Sequence, residues 1–131
     1  MCENKTADES TLLYIHANKT AALIKACLET GGILGCADLE RQNDLLKIGE
    51  LLGHAFQIRD DLLDVALSTR ELGKPAFSDV KNNKATYVAL FGEGRAKTDC
   101  NALIWQASEL IEGLRLKNDI LFRIAGGFFV N

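Results

Sequence analysis

Apolar residues recur every three or four positions through most of this 131-residue chain, as expected for helices with one buried face. The pattern predicts a polar, non-helical segment over residues 1–9 and a helix that begins at Ser10, whose hydroxyl can cap it. Gly31 and Gly32 predict a break or a kink in that helix. A second helical piece is expected to begin near Ile33 and to end at a turn near Asp38.

A longer amphipathic pattern predicts a central helix from about Asn43 to Ser68. Gly49 and Gly53 lie on one side of this helix, one turn apart, although each glycine costs about 1 kcal/mol relative to alanine in an exposed helix. We therefore expect another helix, or a ligand, to approach closely there. The rest of the chain is predicted as a long polar loop followed by three helices, at about 85–91, 95–112 and 118–130.

Composition narrows the fold and the possible partners. Apolar residues make up 47% of the chain and there is only one proline, which favours an all-α fold with its own core. The net charge of −3 argues against nucleic-acid binding. We expect no membrane span, because no uncharged run approaches about 20 residues, and no signal peptide. The four cysteines form no C-x-x-C pair, which favours reduced thiols and a cytoplasmic location.

The central helix carries three carboxylates in five residues, those of Asp60, Asp61 and Asp64. At about 100° per residue, these carboxylates and Gln57 fall within one sector of the helix, and the apolar positions lie opposite. Three like charges on adjacent turns repel one another unless a counter-charge is present. Mg²⁺ prefers carboxylate oxygens and shares its shell with waters and phosphates. A metal site and a simple solvated acidic face are both consistent with this pattern.

A polar loop with three lysines follows the acidic helix directly, over residues 73–87. At about 15 residues it is long for a compact domain, and long loops of this kind often bind ligands. Lysine is a compact positive charge that suits phosphate oxygens. Aspartates with Mg²⁺ on one side and lysines on the other would hold a diphosphate between them, whereas any one lysine alone is more simply read as a solubilising side chain.

Taken together, these motifs resemble a known family. F-Q-x-x-D-D-x-x-D over 56–64, then G-K at 73–74 and D-x-x-x-N-K-x-T-Y over 79–87, resemble the C-terminal half of trans-isoprenyl diphosphate synthases, the farnesyl and geranylgeranyl diphosphate synthase family. Residues 16–24 are similar to the family's K-T helix. The resemblance implies an all-α fold, about half of the isoprenoid synthase helical bundle. Residues 1–131 would be the C-terminal part of a polyprenyl synthetase domain, and 68–84 a loop that contacts diphosphate.

The resemblance also implies a role for individual residues. Asp60 matches the aspartate that binds Mg²⁺ directly, whereas Asp61 and Asp64 would act mainly through metal-bound waters. The other matching positions are the diphosphate-contacting lysines Lys19, Lys74 and Lys84, and the pocket-lining residues Gln57 and Thr20. Phe56 is a candidate for the wall of the prenyl-chain pocket, although an aromatic residue at such a position is more often part of the core.

The implied reaction is the transfer of a prenyl group. An allylic diphosphate, such as dimethylallyl, geranyl or farnesyl diphosphate, would ionise while Mg²⁺ and lysines stabilise the departing diphosphate. The double bond of isopentenyl diphosphate would then attack the carbocation. The chain shows no catalytic triad, and we assign no general base and no product chain length.

The sequence departs from the family in one respect. Family members carry two aspartate-rich motifs, and this sequence contains one. We therefore expect the chain to be inactive alone and to expose apolar faces that meet a missing N-terminal half, a partner chain or a second copy in a homodimer. Two alternatives remain open: a non-catalytic helical subunit or fragment that pairs with a full synthase, and, with less support from the lysine motifs, a terpene cyclase.

Overall fold

The computed structural model describes the backbone of residues 2–72 and 86–131, and the side chains of residues 18–70 and 86–131. Within these ranges the chain contains helices and no strand, which confirms the predicted all-α fold. None of the described helices is both long and apolar enough to cross a membrane. The helices are α1 (Cys2–Leu34), α2 (Leu39–Leu72), α3 (Tyr87–Phe91), α4 (Glu93–Gly113) and α5 (Ile120–Gly126).

The first helix is longer than the sequence pattern predicts. The predicted non-helical segment was wrong for residues 2–9, which contain no glycine or proline and are part of α1. The predicted break at Gly31 and Gly32 was also wrong, because α1 continues to Leu34. Gly32 is buried, and a Cβ built there would lie 2.6 Å from a methyl group of Leu45. This glycine therefore permits close packing against the side chain of Leu45.

The second helix also extends beyond its predicted ends. The Asp38 carboxylate accepts a hydrogen bond from the Arg41 N–H (2.9 Å), so it caps the first turn and α2 begins at Leu39 rather than near Asn43. At the other end α2 reaches Leu72, so the first residues of the predicted loop 68–84 are helical.

Helices α1 and α2 are antiparallel and unusually close. A Cβ at Gly53 would lie 2.8 Å from the Ala21 Cα, and a Cβ at Gly49 would lie 3.0 Å from the Lys25 Cα. These distances leave no room for a side chain, because the opposing atoms belong to the backbone of α1. The close helix approach predicted from Gly49 and Gly53 is confirmed.

Helix α2 packs against α4 through two clusters of buried side chains. The N-terminal half of α2 meets the C-terminal half of α4 and α5, and its C-terminal half meets the N-terminal half of α4 and α3, so α2 and α4 are also antiparallel. Cys100 lies at this contact and its thiol donates to the Ala55 carbonyl (3.4 Å). The clusters are Leu45, Ile48, Leu52, Ala107, Ile111, Leu114 and Ala125, and Ala55, Ile58, Leu62, Val88, Ala96, Cys100 and Ile104.

The last residues of the chain pack on α2 and α4 instead of continuing the predicted helix. The Asn101 side chain donates to the Val130 carbonyl (2.8 Å) and accepts from the Val130 N–H (2.9 Å). The rings of Phe128 and Phe56 pack in a T-shaped arrangement, with centroids 5.8 Å apart. The Arg59 guanidinium lies 5.9 Å from the Phe128 ring centroid, a cation–π contact that explains a charged residue on the core side of α2.

Substitution of Gly53 tests the packing of α1 against α2. Gly53→Ala should destabilise the fold by about 1–3 kcal/mol, because overpacking against the α1 backbone outweighs the gain in helix propensity. The free energy of unfolding in urea measures the change. Gly31→Ala is the matched control, since a Cβ there meets nothing within 4 Å and should be neutral or mildly stabilising. Equal stability of the two variants would contradict the close contact.

Candidate functional site

The acidic sector predicted on the central helix is present on α2. Asp60 and Asp64 are exposed and Asp61 is half-buried, while Ile58 and Leu62 on the opposite side are buried. The separation of charge from core that the periodicity predicted is therefore confirmed. The three aspartates nevertheless differ in environment, because Asp61 accepts a hydrogen bond from the backbone of α3 whereas Asp60 and Asp64 face solvent.

Asp61 is held by two hydrogen-bond donors. The Tyr87 N–H, at the start of α3, donates to Asp61 Oδ2 (3.0 Å), and the Gln57 side chain donates from one turn earlier in α2. Burial raises the pKa of the Asp61 carboxyl above its ordinary value, the two hydrogen bonds oppose that rise, and the charges of Asp60 and Asp64 add to it. The hydrogen bond from Tyr87 therefore orients the Asp61 carboxylate, whose charge lies close to those of Asp60 and Asp64.

Tyr87 is in turn held by α4. Its hydroxyl donates to Asp99 Oδ2 (2.5 Å), and Arg95 Nε donates to the same oxygen (2.8 Å). The hydrogen bonds from Tyr87 and Arg95 lower the pKa of the Asp99 carboxyl, and the bond to Asp99 raises the pKa of the Tyr87 hydroxyl. Sequence reasoning missed Asp99. The spacing of Arg95 and Asp99 by one helical turn was visible, but their shared contact with Tyr87 depends on the tertiary fold.

The predicted K-T residues lie on α1, opposite the turn of α2 that precedes the acidic sector. The contacts of Gly53 with Ala21 and of Gly49 with Lys25 set the antiparallel register. By that register, Lys19 lies about five residues, or about 8 Å along the axis, from the level of Asp60. Lys19 is exposed and Thr20 is partly buried. The fold thus places both opposite the middle of α2, within about two turns of the aspartates along the helix axis.

The remaining predicted residues divide into two groups. Phe56 is half-buried one turn before Asp60, where its ring is supported by Phe128. Lys74 and Lys84 lie outside the described residues, as does most of the predicted diphosphate-contacting loop. Their roles therefore stay predictions.

The carboxylates suit a hard cation but do not form a closed metal cage. Among the described residues, no group of three or more His, Cys, Asp or Glu side chains converges to hold a metal ion. Mg²⁺ is commonly bound through one or two carboxylates, with waters and substrate phosphates completing its shell. The exposed Asp60 and Asp64, beside the anchored Asp61, fit that kind of open site.

Comparison with known proteins identifies the family. A sequence model of the family described as polyprenyl synthetase matches residues 1–112. The chain belongs to the polyprenyl synthetase family. Similar proteins include the farnesyl diphosphate synthase of Geobacillus stearothermophilus, which is 43% identical over 95 residues, covering 72% of this chain and 32% of that protein.

Two further members of the family show how much of a full-length protein this chain represents. The farnesyl diphosphate synthase of Bacillus subtilis (strain 168) is 38% identical over 122 residues, or 93% of this chain and 41% of that protein. Geranylgeranyl pyrophosphate synthase 12, chloroplastic, of Arabidopsis thaliana is 41% identical over 102 residues, or 78% of this chain and 28% of that protein. The chain therefore spans less than half the length of the relatives it matches.

The hydrogen bonds to Asp99 predict a specific pH dependence of folding. Because the pKa of Asp99 is lower in the folded state, its carboxylate stabilises the fold fully above about pH 4, and that contribution is lost as the pH falls through the lowered value. Asp99→Asn should therefore lower the free energy of unfolding at pH 7. Between pH 5 and pH 3, the free energy of unfolding of this variant should fall less than that of wild type. Urea unfolding across this range measures the effect. Asp119→Asn, which removes an exposed carboxyl outside this hydrogen-bond network, is the matched control.

Proposed function

We propose that this chain supplies the Mg²⁺- and diphosphate-binding wall of a trans-prenyltransferase, which condenses an allylic diphosphate with isopentenyl diphosphate. One observation carries the proposal: the acidic sector of α2 is joined to the T-Y end of the lysine segment by the hydrogen bond from the Tyr87 N–H to Asp61. That bond ties two parts of the family's motif together. The names of the relatives, farnesyl and geranylgeranyl diphosphate synthases, support the substrate class.

In this proposal the three aspartates have different roles in binding Mg²⁺. Asp60, which is exposed on the open side of α2, is the direct ligand. Asp61 and Asp64 accept hydrogen bonds from metal-bound waters. Mg²⁺, when bound, neutralises the negative charge that builds on the departing diphosphate. The aspartates of this chain position that charge and bear none of the covalent chemistry.

The lysines are proposed to hold the diphosphate from the other side. Lys19 approaches from α1, with Thr20 and Gln57 lining the same pocket, and Lys74 and Lys84 approach from the segment between α2 and α3. Each ammonium group would donate to phosphate oxygens and favour ionisation by stabilising the leaving group. Phe56 is proposed to contact the prenyl chain, because it lies half-buried on α2 one turn before Asp60.

Exposed apolar side chains favour a second part to the assembly. Leu34 and Leu39 are 80% and 75% exposed, and Leu63 and Leu67 on α2 are also open to solvent. Large apolar side chains exposed at both ends of α2 in this way are often covered by another protein surface. We propose that an N-terminal half, a partner chain or a second copy covers it. The same observation supports the other candidate function, a non-catalytic subunit that pairs with a complete synthase.

Replacement of Asp60 tests the metal site directly. Mg²⁺ with pyrophosphate should raise the melting temperature more than either alone, because a ligand at a hundred times its dissociation constant adds about 2.7 kcal/mol to stability. Asp60→Ala should abolish the Mg²⁺-dependent part. Lys74→Ala should weaken pyrophosphate binding and leave the fold intact. Differential scanning fluorimetry with and without each component measures these shifts.

The control for this experiment is Glu109→Ala, which removes an exposed carboxylate from α4 away from the acidic sector. It should respond to Mg²⁺ and pyrophosphate as wild type does. The same comparison should be made in a fusion that adds the N-terminal part of the Bacillus subtilis relative. A solvated acidic face predicts a small stabilisation by any divalent ion, indifferent to pyrophosphate. Identical responses of wild type and Asp60→Ala in the fusion would show that the site is assigned wrongly.

The proposal also predicts which form of the protein turns over substrate. The 131-residue chain alone should make no prenyl product, because the family's first acidic motif and the isopentenyl diphosphate site are not part of its sequence. The fusion should make product, and Asp60→Ala in the fusion should reduce it strongly. Incorporation of labelled isopentenyl diphosphate is the measurement. Turnover by the purified chain alone, free of other synthases, would refute the prediction that this chain lacks part of the active site.

A further inference from the structure

We propose that Asp99 and the Tyr87 hydroxyl are a positioning pair that fixes the Asp61 carboxylate from outside the binding site. The connection runs from α4 through α3 to α2 by two hydrogen bonds, Tyr87 Oη to Asp99 Oδ2 (2.5 Å) and Tyr87 N–H to Asp61 Oδ2 (3.0 Å). Its effect on ligand binding rests on the proposed function, whereas its effect on Tyr87 itself does not.

The Tyr87 N–H depends on Asp61 for a partner. Tyr87 is the first residue of α3, and the first N–H groups of a helix have no carbonyl partner within the helix. The capping hydroxyl of Thr86 accepts from the Ala89 N–H (3.1 Å), so it does not serve Tyr87. Asp61 therefore completes the start of α3, and the direction of the Asp61–Tyr87 bond depends on where α3 lies.

Helix α3 packs on the apolar cluster between α2 and α4 through Val88 and part of Tyr87, and Gly92 alone separates it from α4 in the sequence. It is five residues long and buries one side chain, that of Val88. The Tyr87 ring also contacts Phe91, but that residue belongs to α3 itself. Within the described residues, the bond from Tyr87 to Asp99 is the side-chain hydrogen bond between α3 and α4, and Arg95 Nε donates to the same carboxylate oxygen (2.8 Å), which helps to fix the carboxylate. Hydrogen bonds to an ionised carboxylate are stronger than those between neutral groups.

The orientation of Asp61 matters because its carboxylate is shared. A carboxylate has about four acceptor positions, and Tyr87 and Gln57 occupy two of them. The remaining positions are available to metal-bound waters beside Asp60 and Asp64. Groups that hydrogen-bond to metal-site carboxylates from outside commonly change metal affinity by about 10–100-fold when they are removed. Asp99 acts one step further out, through Tyr87.

The experiment compares Asp99→Ala and Tyr87→Phe with a matched control on the same helix. Tyr87→Phe removes the hydroxyl and keeps the ring and the N–H. Lys97→Ala breaks the ion pair of Lys97 with Glu93 (2.9 Å), which also joins residues one turn apart on α4 and does not involve α3. Hydrogen exchange of the Tyr87 amide reports on its bond to Asp61, and calorimetry with Mg²⁺ and pyrophosphate reports on the site.

Asp99→Ala and Tyr87→Phe should each speed exchange of the Tyr87 amide about tenfold and weaken Mg²⁺-dependent pyrophosphate binding about tenfold, at a temperature where every variant is folded. Asp99→Asn, which keeps an acceptor oxygen for the Tyr87 hydroxyl, should recover part of both effects. Lys97→Ala should change neither.

The outcomes separate the two hypotheses. If Asp99→Ala leaves exchange at Tyr87 as slow as in Lys97→Ala, the positioning pair is refuted whether or not pyrophosphate binds. If wild type binds Mg²⁺ and pyrophosphate while Asp99→Ala, Tyr87→Phe and Lys97→Ala bind equally well, the positioning role in the site is refuted and the proposed function stands. If wild type and its fusion show no Mg²⁺-dependent pyrophosphate binding, the proposed function fails.

Discussion

The close packing of α1 on α2 at Gly49 and Gly53 is the constraint on which the rest of the structure depends. Backbone atoms of Lys25 and Ala21 occupy the space that side chains at these glycines would need. This contact fixes the antiparallel register, and the register places Lys19 and Thr20 opposite the turn of α2 that precedes the aspartates. Each glycine costs helix propensity, and close packing of the two helices offsets that cost.

With α1 on one side and α4 on another, α2 has one sector left for charged groups. Asp60 and Asp64 stand in that sector and stay hydrated, so their charges cost little. Asp61 lies at its edge, where burial opposes ionisation and hydrogen bonds from Tyr87 and Gln57 favour it. Burying a carboxylate in such a position costs free energy unless hydrogen-bond donors are present, and those donors also orient it. The same motif thus yields two solvated aspartates and one anchored aspartate.

The sequence predicted the features that repeat locally or follow a motif. Periodicity placed the core side of α2 and its acidic sector correctly, and Gly49 and Gly53 correctly indicated a close neighbour. The sequence pattern did not predict features that depend on a residue far away in the chain. Gly32 packs under Leu45 instead of ending a helix, and Asp99 on α4 contacts Tyr87 on α3. The cation–π contact of Arg59 with Phe128 has no local signature either, because it spans more than half the chain.

The division among the aspartates has a thermodynamic consequence under the proposed function. Since Asp61 belongs both to the binding face and to the start of α3, a ligand that favours one orientation of its carboxylate must also favour one position of α3, and the coupling is reciprocal. The carboxylates of Asp60 and Asp64 are not coupled to α3 in this way, because they are exposed and can adjust to the ligand. Under the proposed function, the site therefore combines two adaptable carboxylates with one whose position is set by the fold. Of the three, only Asp61 links the free energy of ligand binding to the packing of α3 on α4.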